Sequence, residues 1–422
     1  MIDMSTRRKR LERLVELAQV YRNWSRRELS ETLGRDASKL VPASGNPKLD
    51  LIVELADVLD WTVGDVTDCL WNTGASDLTP IPVDGAATFE EIDRQAGEAH
   101  RAGRYRQLIQ LAGHARELAE TSDERALACN REFGGWDGLG RFSRSLEVAR
   151  EGLHEASAHS DVRRMLQSNL ANAYYSLWHL MEAQAIASDL INRYEESPPV
   201  THRDRRTHAF SLYVLGNTHR RLIDAEPYNA HRHAAEARTA LLDAIDRFSA
   251  IPTINGETFE GIARTCRGGI LESDVMLGKL DARQATSTMI DALSEVVDLS
   301  KITSGDLLES HGWWCIFGCN VAMRHLSDDR ELHRMLAMLT NKADEIANRL
   351  DNWAMRERVF SIQFDQHRRF VGWTGQSTPL TIDSEDIRMI TGTMGRFPQF
   401  RRTGWKMLES ASVVTDDIVT AQ

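Results

Sequence analysis

Several groupings in the 422-residue sequence have residue types and spacings suited to chemistry, and each also has a purely structural reading. His311, Cys315 and Cys319 lie four apart, so one helical face would present an imidazole and two thiols to a soft metal. Their neighbours Trp313, Trp314, Ile316 and Phe317 make that helix an apolar core element, where cysteine acts as a small hydrophobe, and no metal set is assigned. His231 and His233, with His208 and His219, read as surface residues of an Arg-rich segment. Glu90-Glu91 and Asp328-Asp329 read as acids that favour helix starts rather than as an acid/base pair. The run Gly134-Gly135-Trp136-Asp137-Gly138-Leu139-Gly140 lacks the preceding strand that a phosphate loop needs. No catalytic set, cofactor or nucleophile elbow emerges, and an enzyme is not expected.

The remaining grouping is charge. Residues 1 to 49 carry eleven Lys/Arg against six acids, while residues 50 to 98 carry twelve acids and only Arg94. Over the whole chain the formal charge is −11, so any contact with nucleic acid has to come from the local basic end. The short run Arg7-Arg8-Lys9-Arg10 fits either a phosphate-binding patch or a solvated tail. A hydrophobic content of 42% supports a sizeable core. No run approaches the roughly 18 apolar residues of a spanning helix, and the first residues lack a signal-like apolar segment. Five cysteines (Cys69, Cys129, Cys266, Cys315, Cys319), odd in number and without a CxxC pair, fit a reducing compartment. A cytoplasmic protein without membrane association is expected.

These residues must be positioned by helices. Ser25 caps a helix with Leu29 and Leu33 on one face, Gly34 turns the chain, and Asp36 caps a short helix over 37–41 that Pro42 ends. Asn46-Pro47 opens an amphipathic helix through Leu49, Ile52, Val53, Leu55, Ala56 and Leu59. Thr62 then caps a segment holding Val63 and Val66. Leu29, Leu33, Leu40, Ile52, Leu55 and Leu59 should form the core, with Trp61 against them. Residues 72–87, NTGASDLTPIPVDGAA, lose apolar periodicity and gather Gly, Pro, Ser and Asp, which marks a linker. The division is therefore 1–71, the linker 72–87, a helical body over 88–410 and a tail over 411–422.

The head resembles the Cro/repressor-type helix-turn-helix family. The matching residues are Trp24-Ser25-Arg26-Arg27-Glu28-Leu29-Ser30, Gly34 and Asn46-Pro47-Lys48-Leu49. The interval from Gly34 to Asn46 is about three residues shorter than the family pattern, and Pro42 stands where the recognition helix should continue. The resemblance implies that Arg26 and Arg27 cross a phosphate backbone. It leaves Arg35, Ser38 and Lys39 as the only polar candidates for a recognition helix, with Leu40 buried. A bundle kept only for packing or dimerisation is the structural alternative.

In the body, Gly103-Arg104-Tyr105, Gly140-Arg141-Phe142 and Trp178-His179-Leu180 recur at spacings of 37 and 38 residues, each marking the turn into a second helix. With Leu170-Ala171-Asn172-Ala173-Tyr174-Tyr175, Leu215-Gly216-Asn217-Thr218-His219 and Leu277-Gly278-Lys279-Leu280, they resemble the tetratricopeptide repeat over about residues 88 to 300. Glu226-Pro227-Tyr228-Asn229 departs from it as a long insertion in the fourth repeat, and residues 306–370 continue with loose repeat character. The family pattern implies a right-handed superhelix whose concave face is lined by first helices. Carried over, it puts Asn172 and Asn217 where an extended peptide's backbone is bound, Arg220 and Arg221 where a carboxylate is held, Tyr175 and Tyr213 as aromatic walls, and Arg131 as a weaker candidate. The structural alternative is that the asparagines bridge helices and the arginines are solvated.

A helix-turn-helix head on such a body is similar to the peptide-responsive transcriptional regulators of bacteria. The resemblance implies an all-α, homodimeric regulator whose groove binds a peptide or protein effector and whose heads contact duplex DNA. The alternative is a non-enzymatic interaction scaffold whose degenerate head no longer reads DNA, or a helical adaptor in a larger signalling or defence complex.

Overall fold

The computed structural model describes residues 4–42, 45–59, 63–71, 87–157, 160–252, 259–296, 298, 305–327, 330–375 and 379–413. The chain is all-α and divides into two compact units, residues 1–83 and 84–422. Among the described residues, no helix is long and apolar enough to cross a membrane. Trp61, Thr62, Asp328, Asp329, residues 72–86 of the expected linker and 414–422 of the expected tail lie outside the described residues.

The first unit holds α1 (Met4–Arg22), α2 (Arg26–Thr32), a single 3-10 turn (Ala37–Lys39), α3 (Leu49–Leu59) and α4 (Val63–Trp71). Ser25 and Glu28 make reciprocal bonds at the start of α2, and Gly34 adopts φ +60° in the turn after it. Leu29, Leu33, Leu40, Ile52, Leu55 and Leu59 are all buried, as their spacing requires. Leu49 and Val53, assigned to the same apolar face, are exposed instead, so the inner stripe of α3 is narrower than expected. The expected helix over 37–41 is also corrected. Only 37–39 wind, as one 3-10 turn, because Leu40 and Val41 are drawn into the core and Pro42 follows. The basic run is no tail. It lies in α1, where Leu11, Leu14, Val15 and Ala18 supply one wall of the core and Arg7 is buried against Asn46 and the Trp71 ring.

The second unit is an array of helical hairpins. Its pairs are α5 (Phe89–Arg101) with α6 (Tyr105–Leu118), α7 (Ser122–Gly138) with α8 (Phe142–Glu155), α9 (Asp161–Ser176) with α10 (Leu180–Glu196), α11 (His202–Ala225) with α12 (Ala230–Ser249) and α13 (Glu260–Met276) with α14 (Ala282–Asp291). α15 (Gly305–His325), α16 (Arg330–Leu350), α17 (Trp353–Thr374), α18 (Ser384–Arg396) and α19 (Arg401–Ser410) complete it, with a three-residue parallel ladder between β1 (Leu380–Ile382) and β2 (Ala411–Val413). Thr88, Thr121, Ser160 and Thr201 cap the first helices of four successive hairpins by accepting a backbone N–H. The four-residue insertion at 226–229 is not a long loop. Pro227–Asn229 form one 3-10 turn, and the extra length goes into helices of 24 and 20 residues.

The array closes on its own flank. Phe142, Leu177, Phe360, Phe364, Ile390 and Phe397 share one buried cluster, with Phe142 and Phe397 rings 5.4 Å apart. The last helices thus cover the turns of the second and third hairpins. A Cβ added to Gly140 would sit 2.8 Å from the Cβ of Trp353, so only glycine lets α17 approach that turn.

Candidate functional site

Four of the five hairpins turn through a residue in the left-handed region, where a side chain costs about 1–2 kcal/mol and glycine costs nothing. Gly103, Gly140 and Gly278 fill this place at φ +68°, +66° and +69°. In the third hairpin the same place is held by Trp178, at φ +65°. A bulky residue there is strained unless its side chain is held by surroundings that repay it, and such outliers concentrate at ligand sites.

What holds Trp178 is cationic. The Arg221 guanidinium lies 4.4 Å from the Trp178 ring and 3.8 Å from the Tyr175 ring, and Arg221 Nη1 donates to the Tyr175 carbonyl at 2.5 Å. Arg358, from α17, lies 5.4 Å from the same indole. Neither arginine has an ion pair among the described residues. Burial, the largest influence, pushes the Arg221 pKa down despite Tyr175 and Glu357 nearby. The indole Nε1–H of Trp178 is buried without a hydrogen-bond acceptor. Two aromatic faces, two cations without ion pairs and an unused donor together suit an anionic group such as a carboxylate.

Other expected groove residues gather beside this point. Asn172 reaches Asp137 at 3.5 Å. Burial, with Glu309 adding to it, raises Asp137 to about 7, so near neutrality that carboxyl is partly protonated and able to donate. Burial pushes the Tyr213 phenol well above its usual range, with Tyr175, Cys266 and Glu309 acting in the same direction and Arg220 against it. Glu309 of α15 thus lies near both Asp137 of α7 and Tyr213 of α11, and Arg221 of α11 rests on the Tyr175 ring of α9.

Asn217 and Arg220 do not join them, which corrects their expected place. Arg220 is buried, donates to Glu272 through Nε at 2.9 Å and through Nη2, and lies 3.7 Å over the Phe317 ring. Asn217 Oδ1 accepts from Arg220 at 2.9 Å, and its amide donates to the Tyr213 carbonyl. Glu272 accepts further bonds from Asn320 at 3.1 Å and Arg324 at 2.6 Å, while Arg324 also forks onto Asp224. Burial raises the Glu272 pKa, but the two arginines outweigh it and hold the carboxylate below its usual range. This network ties α11, α13 and α15 together and spends its donors internally. Arg131 is likewise committed, forked onto Asp93 at 2.7 and 2.8 Å.

Sequence reasoning missed Trp178, Arg358 and Asp137. Trp178 carried a signal: it occupies the place of Gly103 and Gly140 in the repeat, and a bulky residue type at a left-handed turn is a visible mismatch. The histidine expectation is corrected too, since His208, His219 and His233 are buried. His311, Cys315 and Cys319 are buried along α15, His311 bonding its own helix at the Leu307 carbonyl.

In the head, the DNA candidates separate by commitment. Arg27 is 85% exposed and meets only Glu31, one turn on, in its ion pair. Lys39 is exposed. Arg26 is half-buried, donates to the Ala37 carbonyl at 3.4 Å and lies 3.9 Å from Glu12. Arg35 is turned onto α3, 2.7 Å from Asp50 and 4.0 Å from Glu54. Ser38 spends its hydroxyl on Asp36, at 2.6 Å. The face therefore offers cations for phosphate and few groups for base edges.

No family model and no curated protein matches this chain. Among solved structures it is similar to the crystal structure of Bacillus thuringiensis PlcR in complex with the peptide PapR7 and DNA, at 13% identity over 69% of this chain and 98% of that one, with a TM-score of 0.34.

Proposed function

We propose that this chain is a non-enzymatic regulator in which the body takes an anionic peptide or protein tail at Arg221 and the head associates with duplex DNA mainly through phosphates. The observation that carries the reading is Trp178: a strained turn residue kept where other hairpins use glycine, with its ring shared by Arg221 and Arg358 and its N–H unspent. An arriving carboxylate would accept from that N–H and from the arginines, while Asn172 pairs with backbone amides. In this reading two copies present their heads to a two-fold duplex, and the cytoplasm is their place of work.

The test uses the full chain and a labelled, short Asp/Glu-rich peptide with a free C-terminus, its amidated form and a Lys-rich peptide of equal length. Anisotropy should rise with the acidic free-acid peptide, less with the amide and not with the basic one. Arg221→Gln should weaken binding at least about tenfold, the equivalent of 1.4 kcal/mol. Equal binding by wild type and variant would rule out a ligand site at Arg221.

A second reading draws on the head. With one 3-10 turn in place of a recognition helix and Arg35 held by Asp50, the head supports an interaction scaffold that does not read sequence. Equal affinity for mixed-sequence DNA and for the DNA upstream of its own gene would favour it.

A further inference from the structure

We propose that His219, His233 and Glu236 form a binding site for a divalent transition cation of the zinc type, fastening α11 to α12. His219 comes from α11, and His233 and Glu236 from successive turns of one face of α12. Their three nearest ligand atoms are mutually close: His219 Nδ1 lies 3.0 Å from His233 Nδ1 and 3.0 Å from Glu236 Oε2, and His233 Nδ1 lies 3.8 Å from Glu236 Oε2. Tetrahedral zinc with bonds of about 2.0–2.1 Å sets its ligand atoms about 3.3 Å apart, and the point equidistant from these three atoms is about 1.9 Å from each. One ion can therefore reach all three atoms at about the expected bond length.

Protonation favours a cation there. Two ring nitrogens in contact cannot both carry a proton, and neither side chain is free to turn away, since both are buried. His233 Nε2 faces the Glu226 carboxylate at 3.0 Å, closer than Arg232 Nη2 at 3.4 Å, so that nitrogen holds the proton and Nδ1 keeps its lone pair. A carboxylate behind the imidazole is the arrangement that orients metal-bound histidines and raises their basicity. The cation would replace the single proton shared among the three atoms. Arg232, about half-exposed, pairs with Glu236 and Glu226 and would swing into solvent as the metal enters beside the part-exposed Glu236. Two imidazoles with one carboxylate suit Zn²⁺ or Co²⁺ and exclude Mg²⁺ and Ca²⁺ as preferred occupants.

The site lies at the 3-10 turn over 227–229, where the hairpin departs from the glycine turns of its neighbours. It does not depend on the peptide-binding reading. The test is Co²⁺ titration of full-length, chelator-stripped protein, followed by visible absorption and reversed with Zn²⁺. One equivalent should bind with micromolar affinity or better. Glu226→Gln, which touches no metal, should weaken it about 10–100-fold, and the part-exposed Glu236→Gln should weaken it at least as much, with circular dichroism unchanged for both. His233→Ala should abolish the band. Absence of one-to-one binding at millimolar Co²⁺, or wild-type affinity in both glutamine variants, would overturn the site.

Discussion

In the body, Arg220 and Arg324 converge on a carboxylate with no exposed surface, while in the head Arg27 and Lys39 stand in solvent, Arg27 paired with Glu31 one turn on and Lys39 near Asp36. Burial explains the contrast. A guanidinium taken out of water is tolerated only where acceptors replace its hydration, so the body's arginines are chosen by their partners. An exposed cation loses little by waiting for one and is available to phosphate. The exceptions inform most. Arg35 in the head is spent on Asp50, and Arg221 in the body is half-buried with no ion pair among the described residues. The ligand role proposed for Arg221 rests on that difference, whereas Arg35 is committed to α3 of the head.

Breaking the body's network should have the largest effect. Glu272→Gln leaves Arg220 and Arg324 without their shared charge and should cost about 3–5 kcal/mol, read as a fall in the body's melting temperature. Melting close to wild type would mean that the network is not needed. The same carboxylate gives a pH dependence. Its folded pKa lies below the ordinary 4.5, so its contribution is present above that value and fades as pH falls through the folded one. His208 adds in the same direction at a higher window: burial, aided by Arg247, lowers it from 6.5 to about 4, so the stability it contributes is complete above 6.5 and declines toward 4. Melts of wild type and His208→Gln from pH 7.5 to 4 should diverge across that range. Parallel curves would contradict the assignment.

The head, with a smaller core and no buried ion network of this kind among its described residues, should answer to apolar loss. Leu55→Ala, at a fully buried position, should cost roughly 2–5 kcal/mol in the head's transition, and a head that melts unchanged would show that its helices are packed otherwise. The smallest effect is expected from Arg27→Ala with Lys39→Ala. Stability should hardly move, while the slope of log affinity for duplex DNA against log salt should flatten by about 2, since each neutralised phosphate adds about 0.9 to it. An unchanged slope would mean that these cations do not meet DNA.

Much of the fold was legible because its signals are local. The Ser25–Glu28 cap, the Gly34 turn, the inner face of α3 and the glycine turns at 103, 140 and 278 are each set by residues within a few positions of one another. The contacts that close the molecule are not local. Phe142 meets Phe397, and Arg220 meets Glu272, across separations that leave no periodic trace. The groove assignment failed at Asn217 and Arg220 for the same reason: α11 is covered on more than one side, so its polar residues are buried against later helices instead of facing a ligand. Helix α1 is hard to read because Leu11, Leu14, Val15 and Ala18 are interleaved with a charge run that resembles a tail. The pairing of His219 with His233 is hidden by a hairpin whose turn lacks the glycine signature.

Arg220 and Arg221 are adjacent in sequence and opposite in commitment, so the pair offers the sharpest comparison. Arg220→Gln and Arg221→Gln should be measured in the full chain by thermal melting and by anisotropy with the acidic free-acid peptide. A large loss of melting temperature is expected with Arg220→Gln, and with Arg221→Gln a near-native melt together with at least a tenfold loss of peptide affinity, about 1.4 kcal/mol. If Arg221→Gln melts as low as Arg220→Gln, or binds the peptide as wild type does, then Arg221 is a packing residue and the proposed ligand site is wrong.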